Sequence, residues 1–144
     1  MFLQQTDSHE SPAPALTVAD VLQTRLVRLP AWFTIGQARR IAELRGVDHL
    51  LIEERGRIHG SLSRHQLAHT PAGTTVARAM VRSDLFVPPD MTIGRAAELL
   101  DEHGLACVPV VQNGILVGTV SAADLSRAGR DAIGPMGHFE RRAA

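Results

Sequence analysis

A chain of 144 residues, 44% hydrophobic and 21% charged with a formal net charge of zero, suffices for one compact domain or for two half-size units sharing a core. That charge balance argues against nucleic acid as the main partner, and no uncharged stretch reaches the roughly 18 to 20 apolar residues that a membrane-spanning helix needs. Met1-Phe-Leu-Gln-Gln has neither a basic n-region nor an apolar h-region, so a cytoplasmic protein is expected, with no membrane partner. Cys107, the single cysteine, excludes an intramolecular disulfide and makes a cysteine-based zinc site implausible. Its place in the apolar run Leu105 to Val111 reads as a buried small hydrophobe rather than a reactive thiol.

Residues 1–14 are polar, contain Pro12 and Pro14, and read as a flexible N-terminal arm. After them the sequence repeats. An offset of 58 aligns Thr17-Val-Ala with Thr75-Val-Ala, Pro30 with Pro88 and Thr34-Ile-Gly36 with Thr92-Ile-Gly94, then Gly60 with Gly118, Ser63 with Ser121 and Leu67 with Leu125. Without a gap, 13 of 53 positions are identical, where chance agreement is roughly one in fifteen, so the chain is read as a tandem duplication.

Each copy starts with a short helix, Val18 to Leu22 or Val76 to Met80, and a short apolar strand, Leu26 to Leu29 or Leu85 to Val87. A Pro-containing turn leads to a helix capped by Thr34 or Thr92 and closed by Gly46 or Gly104. A hairpin follows, with strands His49 to Glu53 and Ile58 to Leu62, or Cys107 to Val111 and Ile115 to Val120; Asn113-Gly114 is a strong turn signal. A last helix, Arg64 to Ala68 or Ala122 to Arg127, completes the unit. The repeats are bounded at 15–71 and 72–129, with 130–144 read as a flexible C-terminal tail. Two such units bury their sheets together with pseudo-twofold symmetry and leave clefts between them.

The most informative stretch is Gly114-Ile-Leu-Val-Gly-Thr-Val-Ser-Ala-Ala-Asp-Leu125, a strand that runs into a helix. Ser121 caps that helix and Asp124 lies in its first turn. One reading is purely structural, a capping box in which Asp replaces the usual Glu or Gln. In the other, the helix start receives an anion such as phosphate, while Asp124 accepts hydrogen bonds from a vicinal diol such as a ribose. The first copy has Gly60-Ser-Leu-Ser-Arg-His-Gln-Leu67, so Gln66 replaces the carboxylate. The cap pattern survives there and the charged diol acceptor does not, which predicts one competent site rather than two.

Residues 16 to 128 resemble a tandem pair of cystathionine-β-synthase (CBS) type domains, a Bateman module, an α/β fold of the α+β type built from two β-α-β-β-α repeats. The pattern is fullest in the second copy, in Pro88-Pro-Asp-Met-Thr-Ile-Gly-Arg-Ala, Gly104-Leu-Ala-Cys-Val-Pro-Val-Val and Asn113 to Leu125. The resemblance implies a regulatory module, not an enzyme, that binds an adenosine-containing ligand (AMP, ADP, ATP or S-adenosylmethionine) between the repeats, forms a homodimer and signals to a regulated protein. It implies that Asp124 holds the ribose hydroxyls, that Ser121 faces the phosphate side with the helix N-terminus, and that Thr119 of the same motif is among the ligand-binding residues. The base would lie against Ser83 to Leu85 and Cys107, Val108 and Pro109, and His49 would be a basic contact to phosphate. No metal is implied. The chain is thus expected to be a stand-alone sensor; the alternative is a ligand-free dimerisation or scaffold module.

Three other features have bland readings. His65 and His69 stand i, i+4 on a helix without a Cys or HExxH partner and read as solvated histidines. Trp32-Phe33 reads as a lid packed on the core, with an exposed patch for a partner as the alternative. Eight Arg against five acids make residues 17–69 basic, and four against six make residues 75–127 acidic, so nucleic-acid binding by the first copy is a remote third reading.

Overall fold

The computed structural model describes residues 15–133. After a 3-10 turn at Val18–Asp20, the elements are β1 (Arg28–Pro30), α1 (Ile35–Arg45), β2 (His49–Glu54), β3 (Arg57–Ser63), α2 (Arg64–His69), α3 (Val76–Ala79), β4 (Val81–Arg82), α4 (Ile93–His103), β5 (Cys107–Gln112), β6 (Ile115–Ser121) and α5 (Ala122–Ile133). The 1–14 arm and residues 134–144 of the tail lie outside the described residues. Helix α5 runs past the expected boundary at 129, because the sequence offers no Pro before Pro135 to stop it.

Local chemistry sets the long elements. Thr34 caps α1 by accepting from the Gln37 N–H at 3.2 Å, while Gln37 Oε1 accepts from the Thr34 N–H at 2.9 Å. Thr92 caps α4 through the Arg95 N–H at 3.2 Å. The two hairpins turn on Arg55-Gly56 and Asn113-Gly114, all four at positive φ, the primed-turn geometry that matches strand twist.

β1-β2-β3-β4 form one sheet, with β1 parallel to β2 and the other pairs antiparallel, while β5 and β6 form a second, antiparallel sheet. The expected strand at Leu85 to Val87 shrinks to a single parallel bridge between Val87 and Val110. The reason is one missing donor. In the first copy the Leu51 N–H donates to Val27 O at 3.0 Å; the residue 58 positions later is Pro109, which has no N–H.

The repeats exchange their opening segments. The 3-10 turn at Val18 packs on the second half, where the Val18 N–H donates to Met91 O at 2.9 Å, the Ala19 N–H to Pro89 O at 2.8 Å and the Ile93 N–H to Leu16 O at 3.1 Å. Each bond has a partner at the 58-residue offset: Val76 N–H to Phe33 O at 2.7 Å, Ala77 N–H to Ala31 O at 2.9 Å and Ile35 N–H to Thr74 O at 2.8 Å. These reciprocal bonds define the pseudo-twofold relation. Fully buried Val18 therefore completes the core of Val87, Ala96, Leu100, Val108, Val110 and Val120. Val76 and Met80 complete that of Leu29, Ile35, Leu50, Ile52 and Leu62. The packing units are thus not the sequence repeats. Burying a Val side chain fully is worth about 1.5–3 kcal/mol, so each half depends on the other's leading segment.

The crossing explains two glycines of the repeat. A Cβ on Gly118 would lie 2.6 Å from both Gln23 O and Leu22 Cδ1, and one on Gly60 would lie 2.7 Å from Val81 O and 2.8 Å from Met80 Sδ. Gln23 bridges Thr119 as Val81 bridges Ser61, so the incoming backbone lies directly over the glycine strand.

Candidate functional site: a cleft at the start of helix α5

Strand alternation sends Val108, Val110 and Val120 into the second core, while Cys107, Thr119 and Ser121 take the opposite face of the hairpin. That face carries buried Ser121 at its end, and β6 passes directly into α5. The Asp124 N–H donates to Ser121 Oγ at 3.0 Å, and the Ser121 N–H donates to Asp124 Oδ2 at 3.4 Å, closing a capping box. Asp124 Oδ1 accepts from Arg127 Nη2 at 2.6 Å, and the Asp124 side chain is 12% exposed.

Asp124, Ser121, Thr119 and Ala123 form one wall of a cleft of about 410 Å³. The facing wall comes from the first copy and the exchanged segment, with Gln23, Thr24, Arg25, Asp48 and His49. The cleft therefore lies between repeats and contains four of the residues singled out in the sequence. Its charged groups are nearly matched within the protein. Asp124 pairs with Arg127, and Asp48 with Arg64 at 2.9 Å.

His49 departs from its expected role as a cation. Burial lowers its pKa from the ordinary value, against the opposing pull of Asp48 and Asp124, so its imidazole is neutral near pH 7. It offers a hydrogen bond or a ring face rather than a charge.

The other expected wall residues lie elsewhere. Val108 is fully buried in the second core, because strand alternation turns it away from the facing sheet. Cys107 is 2% exposed and sits beside the Ser61 hydroxyl. Leu85 and Pro109 line a different hollow, with His59, Phe86 and Leu116. Ser83 Oγ accepts from the Leu85 N–H at 3.0 Å, in the loop that leads there. The resemblance puts the base wall on the second copy's own strand entries, Ser83 to Leu85 and Cys107 to Pro109. Because the opening segments are exchanged, the entries that face Asp124 are their counterparts 58 residues earlier, at Arg25 and His49. Thr24 and Arg25 carry no motif, and only the repeat offset points to them.

At the symmetry-related position, Gln66 is held by the fold. Its Oε1 accepts from the Ser63 N–H at 2.8 Å and its Nε2 donates to Ala79 O at 3.3 Å. Trp32 is 71% exposed rather than a packed lid; only Phe33, stacked edge-on to it at 4.7 Å, packs on the core. His69 Nδ1 donates to His65 O at 2.9 Å, and among the described residues no three His, Cys, Asp or Glu side chains gather as metal ligands. No helix among them is long and apolar enough to cross a membrane.

The family model described as CBS domain matches residues 76–131. A CBS domain pair of protein MJ0100, in complex with 5′-methylthioadenosine and S-adenosyl-L-methionine, superposes with a TM-score of 0.68 at 24% identity, covering 80% of this chain and 96% of that one. The chain folds as a CBS domain pair. The cytosolic domain of the Mg2+ channel MgtE in complex with ATP is similar to this pair at a TM-score of 0.60 and 23% identity, over 75% of this chain and 46% of that one. Among curated proteins, a homoserine O-acetyltransferase of Methanohalophilus mahii is 27% identical over 115 residues. The match covers 77% of this chain and only 24% of that enzyme, so the CBS pair spans about a quarter of its relative's length.

Proposed function

We propose that this CBS pair is a regulatory module that binds an adenosine-containing ligand, AMP, ADP, ATP or S-adenosylmethionine, in the cleft at Asp124 and reports its occupancy to a partner protein. One observation carries the reading: a nearly buried carboxylate at a helix start, in a cleft walled by both repeats. A carboxylate accepts from both hydroxyls of a cis-diol, and the helix start favours an anion beside it. Similar pairs in complex with adenosyl compounds and with ATP support the ligand class. Because the walls belong to different repeats, a ligand that favours one packing of the halves shifts a pre-existing equilibrium, and that shift is the signal. A second copy of the pair is the expected scaffold for it. Calorimetric titration with AMP, ATP and S-adenosylmethionine, repeated on Asp124→Ala, tests the site. The expected loss is about 1.5–3 kcal/mol, roughly 10- to 100-fold. Equal affinity in both proteins removes Asp124 from the site.

A ligand-free scaffold is the second reading, favoured by the way Arg127 and Ser121 already occupy the Asp124 carboxylate. Thermal denaturation with a nucleotide panel separates the two, since a ligand that binds only the native state raises the melting temperature. A flat panel supports the scaffold.

A further inference from the structure

We propose, on the reading that this cleft takes an adenosine-containing ligand, that it selects phosphate-bearing ligands over sulfonium or uncharged ones, and that Arg25 and Arg127 set the choice. The argument is a charge inventory of the cleft. Both of its carboxylates are neutralised by guanidinium groups, Asp48 by Arg64 at 2.9 Å and Asp124 by Arg127 at 2.6 Å. Arg25 has no carboxylate partner among the described residues; its Nη1 only reaches Arg45 O at 3.4 Å. The first turn of α5, with Ala123 on the wall, adds the positive end of a helix dipole. The cleft therefore presents an uncompensated positive charge.

The Asp124 pair sharpens the preference. A sugar diol must share or displace the Arg127 guanidinium, which is 58% exposed and can swing into solvent or onto the ligand. With a phosphate in the cleft, the displaced guanidinium finds a new anion and the exchange keeps one charge-assisted contact for another. With a methylthio group, the guanidinium loses its partner and gains none, and S-adenosylmethionine offers only a carboxylate offset by its own ammonium and sulfonium. Arg127 thus disfavours the uncharged adenosyl ligand most, the net-cationic S-adenosylmethionine less, and favours nucleotides.

Titration calorimetry on the intact chain with AMP, ATP, S-adenosylmethionine and 5′-methylthioadenosine, at low and high salt, tests this. AMP or ATP is expected to bind about tenfold more tightly than 5′-methylthioadenosine, and the gap to narrow with salt. Arg25→Gln should erase most of that gap by weakening the nucleotides alone. Arg127→Gln should weaken the nucleotides and tighten 5′-methylthioadenosine, since the carboxylate then meets the diol without a competitor. That opposite movement is a result misfolding does not produce. Binding of S-adenosylmethionine or 5′-methylthioadenosine as tight as that of the nucleotides overturns the selectivity and leaves the Asp124 site standing. Failure of all four to bind overturns the site and the selectivity together.

Discussion

Arg127 Nη2 lies 2.6 Å from Asp124 Oδ1 across one turn of α5, yet the two side chains differ sharply in exposure, 58% for the arginine and 12% for the aspartate. The carboxylate is fixed in the cleft by the Ser121 cap, and its partner is free to leave. A pair with one exposed member contributes little to stability, because water screens it and the long side chain loses rotamers. Its consequence is functional: the charge that a ligand would meet is already spoken for.

Asp124→Asn separates cap from charge. The amide oxygen still accepts from the Ser121 N–H, and Ser121 Oγ still accepts from the residue 124 N–H, so the helix start survives. Stability in urea should change by no more than about 0.5 kcal/mol. Nucleotide affinity should still fall about tenfold, since a neutral acceptor replaces a charged one. Intact affinity with intact stability would assign Asp124 to the cap alone.

Gly118→Ala should destabilise the pair by about 1–3 kcal/mol in urea melts, a cost typical of overpacking. The new methyl group would meet Gln23 O at 2.6 Å, and that oxygen accepts from the Thr119 N–H at 2.9 Å, so backbone must shift and a cross-repeat bond must stretch. Gln23 also lines the cleft. Ligand affinity should therefore drop with stability, whereas Gly94→Ala, in helix α4 with open space around the new methyl and no positive φ, should leave affinity unchanged and raise stability by about 0.4–1 kcal/mol.

His49 makes stability depend on pH in a definite direction. Its folded pKa lies below the ordinary value of about 6.5, so on acidification the unfolded chain takes up the proton first. Its contribution is complete above pH 6.5 and is lost as the pH falls from there through the folded pKa. Urea midpoints at pH 7.5 and 5.5 should differ more for the native chain than for His49→Gln. Identical pH dependence in both would show that the imidazole is not held neutral.

How far the sequence carried this picture follows from what acts locally. Caps at Thr34 and Thr92, turns at Gly56 and Gly114 and the hairpin strands are written in residues a few positions apart, and the structure places them within a residue or two. The Ser121 and Asp124 motif marked one wall of the cleft for the same reason. The other wall is not legible in the sequence, because it depends on contacts between segments such as Gln23 and Thr119, which no local pattern encodes. Gly60 and Gly118 were the visible trace: a repeated glycine inside a strand signals another backbone passing close by.

Cys107 offers a test of how tightly the halves close. Burial, and to a lesser degree the Asp124 charge, raise its pKa to about 11 despite the opposing Ser61 hydrogen bond, so it stays a neutral thiol at working pH. A raised pKa means that its contribution to stability is present below the unfolded value of about 9 and is lost as the pH climbs from there toward 11. At pH 8 the thiol should react with an aromatic disulfide reagent only as fast as the halves open, and a ligand bridging Asp124 and the first-copy wall should slow it further. The measurement is the labelling rate with and without nucleotide, set against the rate in urea. Stoichiometric labelling of the native chain within mixing time would mean that the face shared by Cys107 and Ser61 opens readily to solvent.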